Sequence, residues 1–376
     1  MTADDLLSLF QAPFLLTWKN LLMMLIGGGL IYLAIAKEYE PVLLLPIGFA
    51  ALLTNLPLTG IADPLEQGFL AILFDAGVRN ELFPLLIFIG IGALTDFGPL
   101  LEYPRMALLG AAGQIGIFGT LLLALLVGFE MNEAASIGII GAIDGPTAIY
   151  VSAQLAPHLL GPIAVAAYSY MSLVPIIQPP VMRLLTTRSE RQVRMAYSQR
   201  EISRRVRLFF PIVVTIVVSL ISPQASPLIA TLMFGNLMRE SGVVEKLTRA
   251  SQNEIANVTT IFLGLAIGST MTGEDFIRTD SLIILALGLL AFVFDTAGGV
   301  LFGKMLYWIS GKKFNPLIGA AGISAFPMSA RIVQRVGQEY DYENHLLMHA
   351  MGANTAGQLG SVIAGGVVLT LLSGPL

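Results

Sequence analysis

The sequence predicts an all-α polytopic membrane protein built from two related halves, and three observations carry that reading. Of its 376 residues, 55% are hydrophobic and only 12% charged, about half of the roughly 25% charged share usual in soluble domains. Mean hydropathy is +0.77, so lipid must act as solvent for part of the surface. Apolar runs recur at spanning length along the chain. Finally, motifs on one side of a basic break return, in order, on the other.

The runs lie at about 20–36, 41–56, 82–97, 105–128, 136–156 and 160–185, then at about 206–238, 256–271, 281–309, 317–335 and 345–371. Each spans, or nearly spans, a hydrocarbon core of roughly 30 Å. The stretch 57–81 is mixed, and its part 68–78 suits the interface. The leading stretch MTADDLLSLFQAPFLL has neither a basic n-region nor a small-residue cleavage site, so no removable signal peptide is expected. Between the halves, 186–207 carries seven arginines against two glutamates, which makes it a cytoplasmic linker by the positive-inside rule. The expected organisation is therefore 1–185 as the N-terminal half, 186–207 as linker and 208–376 as the C-terminal half.

Three pairs of motifs relate the halves. Ile87-Phe88-Ile89-Gly90 matches Ile261-Phe262-Leu263-Gly264, and Gly141-Ala-Ile-Asp-Gly-Pro146 matches Gly322-Ile-Ser-Ala-Phe-Pro327. Met171 and Gln178 then match Met351 and Gln358. Duplicated halves with interrupted helices are the layout of secondary transporters, with the site at the repeat interface. Orientation turns on 206–238, which contains Ser222-Pro223-Gln-Ala-Ser-Pro227. A single kinked crossing gives about eleven spans and inverted halves. A turn back at the prolines gives about twelve and parallel halves, with Lys312 and Lys313 inside as the charge rule prefers. The broken-helix transporter pattern favours the inverted, eleven-span form.

Asp144 is the sharpest chemical feature. It lies in SIGIIGAIDGPTAIYVSAQL, far from other charges, and an intramembrane carboxylate costs at least about 2.5 kcal/mol. Gly145 and Pro146 interrupt the helical ladder beside it and free backbone carbonyls, which suits a hard, oxygen-seeking cation such as Na⁺. The second half offers Asn315, Gly319, Ser324 and Arg331 around Pro327, followed by Asn354. Asn315, Ser324 and Asn354 carry oxygens able to complete a cation shell, or polar groups that simply join helices. Arg331 either snorkels to an interface or meets an anion. Gly352, Gly357, Gly360 and Ser361 read as close helix packing. Asp96 reads as interfacial, and Asp295 as a locally hydrogen-bonded buried acid with a role in an ion path as its alternative. Tyr170 presents its hydroxyl to the site or packs.

Several chemistries are disfavoured. With no cysteine, disulfides, thiol catalysis and cysteine metal ligands are absent. The pair His345 and His349 lacks an acidic partner set for metal ligation. No phosphate-cradling loop, nucleophile elbow or zinc-protease motif occurs, and the one basic run gives no ground for nucleic-acid binding.

Together GAIDGPTAIYVSAQLAP, NPLIGAAGISAFPMSAR and MHAMGANTAGQLGS resemble the β subunit of biotin-dependent, Na⁺-translocating decarboxylases: the oxaloacetate, methylmalonyl-CoA, glutaconyl-CoA and malonate decarboxylase pumps. The resemblance runs from about the first span to the C-terminus, without departure at the matching positions. It implies an elevator-type fold of inverted repeats that decarboxylates carboxybiotin, consumes a proton and exports Na⁺. It also implies Asp144 as ion ligand, Tyr170 as the functional tyrosine, and Asn315, Gly319, Ser324, Arg331 and Asn354 as further site residues. On this reading Na⁺ binds Asp144, Asn315, Ser324 and Asn354, while Arg331 steers carboxybiotin. Asp144, Arg331 and Tyr170 are the catalytic candidates, shaped by Gly145, Pro146, Gly319 and Pro327. Biotin would ride on a partner. The expected partners are a carboxyltransferase α-type subunit, a biotin carrier protein, a small γ-type membrane subunit and further copies of the chain, in a bacterial or archaeal inner membrane. The competing readings are a Na⁺-coupled carboxylate transporter without catalysis and a non-catalytic membrane scaffold.

Overall fold

A computed structural model of the chain describes residues 12–196 and 202–372. The leading segment 1–11 and part of the basic linker, including Arg200 and Glu201, lie outside the described residues. All regular structure among the described residues is helical. The longer helices are α1 (Trp18–Ala36), α2 (Pro41–Thr54), α3 (Leu82–Leu94), α4 (Met106–Ala112), α5 (Ile115–Val127), α6 (Met131–Gly138) and α7 (Gly145–Leu155). They continue with α8 (Leu160–Leu185), α9 (Arg204–Ile221), α10 (Ser226–Ser241), α11 (Ala256–Ser269), α12 (Thr279–Ile309), α13 (Met328–Tyr340) and α14 (Leu347–Leu372).

Local chemistry sets many of the boundaries. Thr17 caps α1 in a reciprocal box with Asn20, satisfying amides that the first turn leaves open. Pro41 opens α2, where its missing N–H costs nothing. Pro175, Pro179 and Pro180 lie inside α8, and the stretch Pro157–Leu185 bends by 66°, as expected where a proline deletes a ladder bond. Leu21, Leu25 and Tyr32 on α1 and Phe209, Ile216 and Leu220 on α9 are exposed, a surface that only lipid covers favourably.

Among the described residues, four helical stretches have the length and apolarity to cross a membrane: Trp18–Ala36, Met106–Val127, Thr279–Ile309 and Leu347–Leu372, with the bent Pro157–Leu185 as a fifth. The chain is thus a multi-pass helical membrane protein, but its apolar runs are not eleven long helices. Two of the expected crossings are hairpins. In 131–158 the chain returns to its start, where His158 Nε2 lies 2.9 Å from Glu133 Oε1. In 315–344 both ends hold the linker, because Asn315 Nδ2 and Asn344 Nδ2 each donate to the carbonyl of Arg191 at 3.1 Å.

The single kinked crossing expected for 206–238 is corrected by the structure. Arg204, at the start of α9, donates to the carbonyl of Ser241 at the end of α10, at 2.8 Å. The chain therefore turns back at Ser222–Pro227. Ser222 ends α9, and Pro223, which lacks an N–H, cannot extend that helix's hydrogen-bond ladder.

The two hairpins are based at opposite ends of the molecule. The base of the second lies on the linker and the adjoining end of α8, where Arg194 of the linker pairs with Asp341 at 2.5 Å and Arg183 of α8 with Glu339 at 2.6 Å. The base of the first adjoins a cavity of about 740 Å³ lined by Glu133, His158, Thr272 and Asp275. The 26 residues of α8 separate that base from the linker, about 39 Å of helix at 1.5 Å per residue. The buried side chains form two apolar clusters. The larger holds both hairpins, and the smaller holds α1, α2 and much of α11.

Candidate functional site

The first hairpin breaks at its tip. A 3₁₀ turn, Ile139–Ala142, ends at Ile143, whose φ of 51° and ψ of 43° lie in the left-handed region. A β-branched residue rarely adopts that conformation, and the strain costs on the order of 1–3 kcal/mol. Asp144 follows in extended geometry and caps α7, its Oδ1 accepting from the Thr147 N–H at 3.4 Å. Pro146 sits in the first turn, where amides are unpaired in any case. Asp144 is thus held at a helix N-terminus, whose dipole favours an anion.

Its other oxygen faces α14. Asp144 Oδ2 accepts from Gln358 Nε2 at 3.1 Å and from Ser361 Oγ at 2.8 Å. The carboxylate is 4% exposed, so three donors replace the water it has lost. Gly145 lies under the Tyr168 ring, and a Cβ there would stand 2.1 Å from the ring. Any side chain at 145 would therefore push that ring away.

The second hairpin brings its own break to the same place. The 3₁₀ segment Pro316–Gly322 ends before Ser324, whose backbone N–H donates to the carbonyl of Ala142 at 3.4 Å. Ser324 Oγ donates to the carbonyl of Gly357 at 3.1 Å, and Asn354 Nδ2 to that of Ile323 at 2.6 Å. Gln178 Nε2 on α8 donates to the carbonyl of Ala320 at 2.6 Å. Gly319 packs on Gly299 so closely that a Cβ would meet its carbonyl oxygen at 1.9 Å.

Between the tips and the α2–α3–α11 wall lies a cavity of about 400 Å³. Asp144, Tyr168, Ser324, Pro327 and Gln358 line one side, and Glu40, Leu43, Ile91, Leu94 and Thr260 the other. Among the described residues its only charged lining groups are the carboxylates of Asp144 and Glu40. Asn354 Oδ1, fully buried beside this junction, has no hydrogen-bond partner among the described residues. A cavity lined by carboxylate, hydroxyl and amide oxygens, with no basic group among its described lining residues, is suited to a small hard cation.

The structure brings Asp144, Gly145, Pro146, Ser324, Pro327 and Asn354 together at this junction and places the other candidates elsewhere. Asn315 does not reach Asp144. Its Nδ2 donates to the carbonyls of Arg191 and Val193, and its Oδ1 accepts from the Leu317 N–H, so its polar atoms are engaged at the hairpin base. Tyr170 donates to the carbonyl of Leu285 and faces Gly288 on α12. Arg331 is exposed, one turn along α13 from Pro327, and is not among the cavity-lining residues. Asp96 accepts from the Gly98 N–H and lies 3.5 Å from Arg239. Asp295, fully buried, accepts from the Gly116 N–H at the start of α5.

Sequence reasoning missed three contributors. Ser361 read as packing but hydrogen-bonds Asp144. Gln358 read only as a repeat marker, and Tyr168, two residues from Tyr170, was not singled out. A signal was present, since Asn354, Gln358 and Ser361 at i, i+4 and i+7 share one helix face.

Residues 19–372 match the Na⁺-transporting oxaloacetate decarboxylase β-subunit family. The chain is similar to methylmalonyl-CoA decarboxylase subunit β of Veillonella parvula, with 54% identity over 95% of this chain and 94% of that protein. It is also similar to glutaconyl-CoA decarboxylase subunit β of Acidaminococcus fermentans, 52% identical over 95% and 94%. The oxaloacetate decarboxylase β chain of Klebsiella pneumoniae is 47% identical over 93% and 94%.

Proposed function

The chain belongs to the β-subunit family of Na⁺-transporting decarboxylases, and from that membership we propose which of its residues hold the ion and how the chemistry drives it. It is a membrane β subunit of a Na⁺-pumping decarboxylase, coupling carboxybiotin decarboxylation to Na⁺ transport. The reading of a carboxylate transporter without catalysis falls away with that membership.

We assign Na⁺ to the junction of the two hairpin tips. The observation that carries this is the buried Asp144 carboxylate, met there by Gln358 and Ser361. Asp144 supplies the charge, while Ser324 Oγ and the Asn354 Oδ1, which has no partner among the described residues, supply neutral oxygens. Carboxybiotin, an anion carried on a partner, is decarboxylated with uptake of one proton at the ureido nitrogen and release of CO₂. Losing the anion removes a negative charge from the cytoplasmic approach, and Na⁺ leaves toward the opposite face. Arg331, exposed beside the second hairpin, would steer the carboxybiotin anion.

The cavity approaches from the linker side. Thr95, directly after Leu94, bonds Arg239, and Gly98 approaches Arg207. The linker is cytoplasmic by its charge. The turn back at Ser222–Pro227 adds a crossing to the second half, but each half loses one where its hairpin does not cross, so inverted halves remain the reading. The hairpin bases at opposite ends support it, as do Gln178 and Gln358, each reaching the other half's broken segment. Oppositely directed hairpins let a moving core expose one site to either face. The partners implied are a carboxyltransferase, a biotin carrier and a small γ-type subunit in a prokaryotic inner membrane, with further copies of the chain.

Asp144→Asn tests the assignment in the whole complex. The variant should insert and assemble but lose Na⁺-stimulated decarboxylation of carboxybiotin. Full Na⁺-stimulated activity would remove Asp144 from the site.

A further inference from the structure

Among the described residues, Glu40 is the one ionisable side chain on the cavity wall formed by α2, α3 and α11. It precedes α2 with φ 36° and ψ 56°, in the left-handed region, and its side chain does not cap the helix that it begins. Such backbone costs on the order of 1–3 kcal/mol in a residue other than glycine, and here no capping bond offsets it. The side chain is half-buried and forms no ion pair or hydrogen bond among the described residues. The Tyr168 hydroxyl lies in the field of both Asp144 and Glu40. Leu43, Ile87, Ile91 and Leu94 line the space between the two carboxylates, and apolar walls keep the effective dielectric low. Asn354, tied to the Ile323 carbonyl next to Ser324, has a buried side-chain oxygen with no hydrogen-bond partner among the described residues. Glu40's helix packs in the smaller apolar cluster, whereas the hairpin tips pack in the larger. The two carboxylates therefore line one cavity from elements on either side of the seam between the two clusters.

We propose that Glu40 is a second cation-holding group, which receives Na⁺ from the cytoplasmic side and holds it across the cavity from Asp144. The proposal rests on the assignment of Na⁺ to Asp144 and adds the group that attracts the ion before it reaches the hairpin tips. Two carboxylates without a basic neighbour repel each other, and a cation between them relieves that repulsion. Because Glu40 stands on the opposite wall, its hold weakens as soon as the tips move away from it. Na⁺ would then travel with Asp144.

The test uses the assembled complex in membranes. Glu40→Gln should raise the Na⁺ concentration for half-maximal decarboxylation by about fivefold or more, as for one unit charge removed at several ångströms. That shift should exceed any change in the rate at saturating Na⁺. Glu40→Asp, which keeps the charge, should return the value toward wild type. The chain has no cysteine, so Leu94→Cys places a single thiol on the cavity wall. That thiol should react faster with a cationic than with an anionic methanethiosulfonate, and Glu40→Gln should lower the ratio severalfold. Should Glu40→Gln fail to assemble, the thiol with Glu40 intact still decides: absence of any cationic preference, or of protection by Na⁺ over K⁺, overturns the proposal. An unchanged half-saturation in Glu40→Gln, or Asp and Gln variants that behave alike, overturns it as well. If Asp144→Asn keeps its Na⁺ dependence, the site assignment itself falls; if only the Glu40 readouts stay still, the loss is confined to Glu40.

Discussion

Gln358 Nε2 on α14 donates to Asp144 Oδ2 at 3.1 Å, so a side chain from the second half fixes the carboxylate of the first. Its counterpart Gln178 donates instead to a backbone carbonyl, that of Ala320. The two substitutions should therefore separate. Gln358→Ala removes a donor to a charged group, worth about 1.5–3 kcal/mol, and frees the carboxylate to reorient. It should shift both thermal stability and the half-saturating Na⁺ concentration. Gln178→Ala should lower stability by about 1–3 kcal/mol, because the Ala320 carbonyl is left unpaired, with little change in Na⁺ dependence. Thermal unfolding of the purified complex beside Na⁺ titration of decarboxylation distinguishes them, and equal Na⁺ shifts would contradict the assignment.

Asn354 has two ends with different tasks. Its Nδ2 ties the second tip through the Ile323 carbonyl at 2.6 Å, while its Oδ1 has no partner among the described residues. Asn354→Asp keeps an oxygen but loses the donor and adds a charge close to Asp144. Asn354→Ala loses both. The alanine variant should raise half-saturating Na⁺ about tenfold, equivalent to about 1.4 kcal/mol, and lower thermal stability. The aspartate variant should demand a cation or proton to assemble, visible as Na⁺-dependent protection against heat.

The linker contact is a pH-dependent device with a calculable sign. Arg194, hydrogen-bonded to Asp341, holds that carboxyl below its ordinary value, and the amide of Glu343 adds to the effect. A carboxyl depressed in the folded state contributes stability above its unfolded pKa, and that contribution is lost as pH falls through the folded value. Docking should therefore be flat through neutrality and weaken only below about pH 4. Asp341→Asn should free the linker at pH 7. Limited proteolysis of the intact complex reads this directly, and an Asn variant as resistant as wild type would argue that Asn315, Asn344, the Arg194–Glu343 pair and the Gln192 bond to the Tyr340 carbonyl hold the segment without Asp341.

Composition makes the multi-pass helical class legible, because it follows from transfer energies that act locally. The Asp144 break is legible for a similar reason: one carboxylate, one glycine and one proline in an apolar run have few physical explanations. Hairpins and crossings are not separable this way, since 136–156 has enough apolar residues to cross and still doubles back at Ile143. Only a packing partner for the tip, here the second tip and α14, decides between them. Tyr168 against Tyr170 fails likewise, because residues two apart on a helix point about 200° away from each other and nothing local says which side is the cavity. Arg204 and Ser241 lie side by side only because α9 and α10 pack, a relation that no run of residues displays.

Asp295 settles between an ion-path role and a local one by the same logic of partners. It is fully buried on α12, and its Oδ1 accepts from the Gly116 N–H in the first turn of α5. A carboxylate there meets the positive end of that helix and satisfies an amide the helix cannot. It is not among the residues lining the Asp144 cavity. Asp295→Asn keeps an acceptor oxygen in place and should assemble with Na⁺ dependence unchanged. Asp295→Ala strands the Gly116 amide and opens a void, costing about 2–4 kcal/mol, and should melt earlier with the same half-saturating Na⁺. Titrating decarboxylation with Na⁺ in the asparagine variant is the decisive measurement. A severalfold rise there, with assembly intact, would move Asp295 from holding α5 in place to carrying the ion.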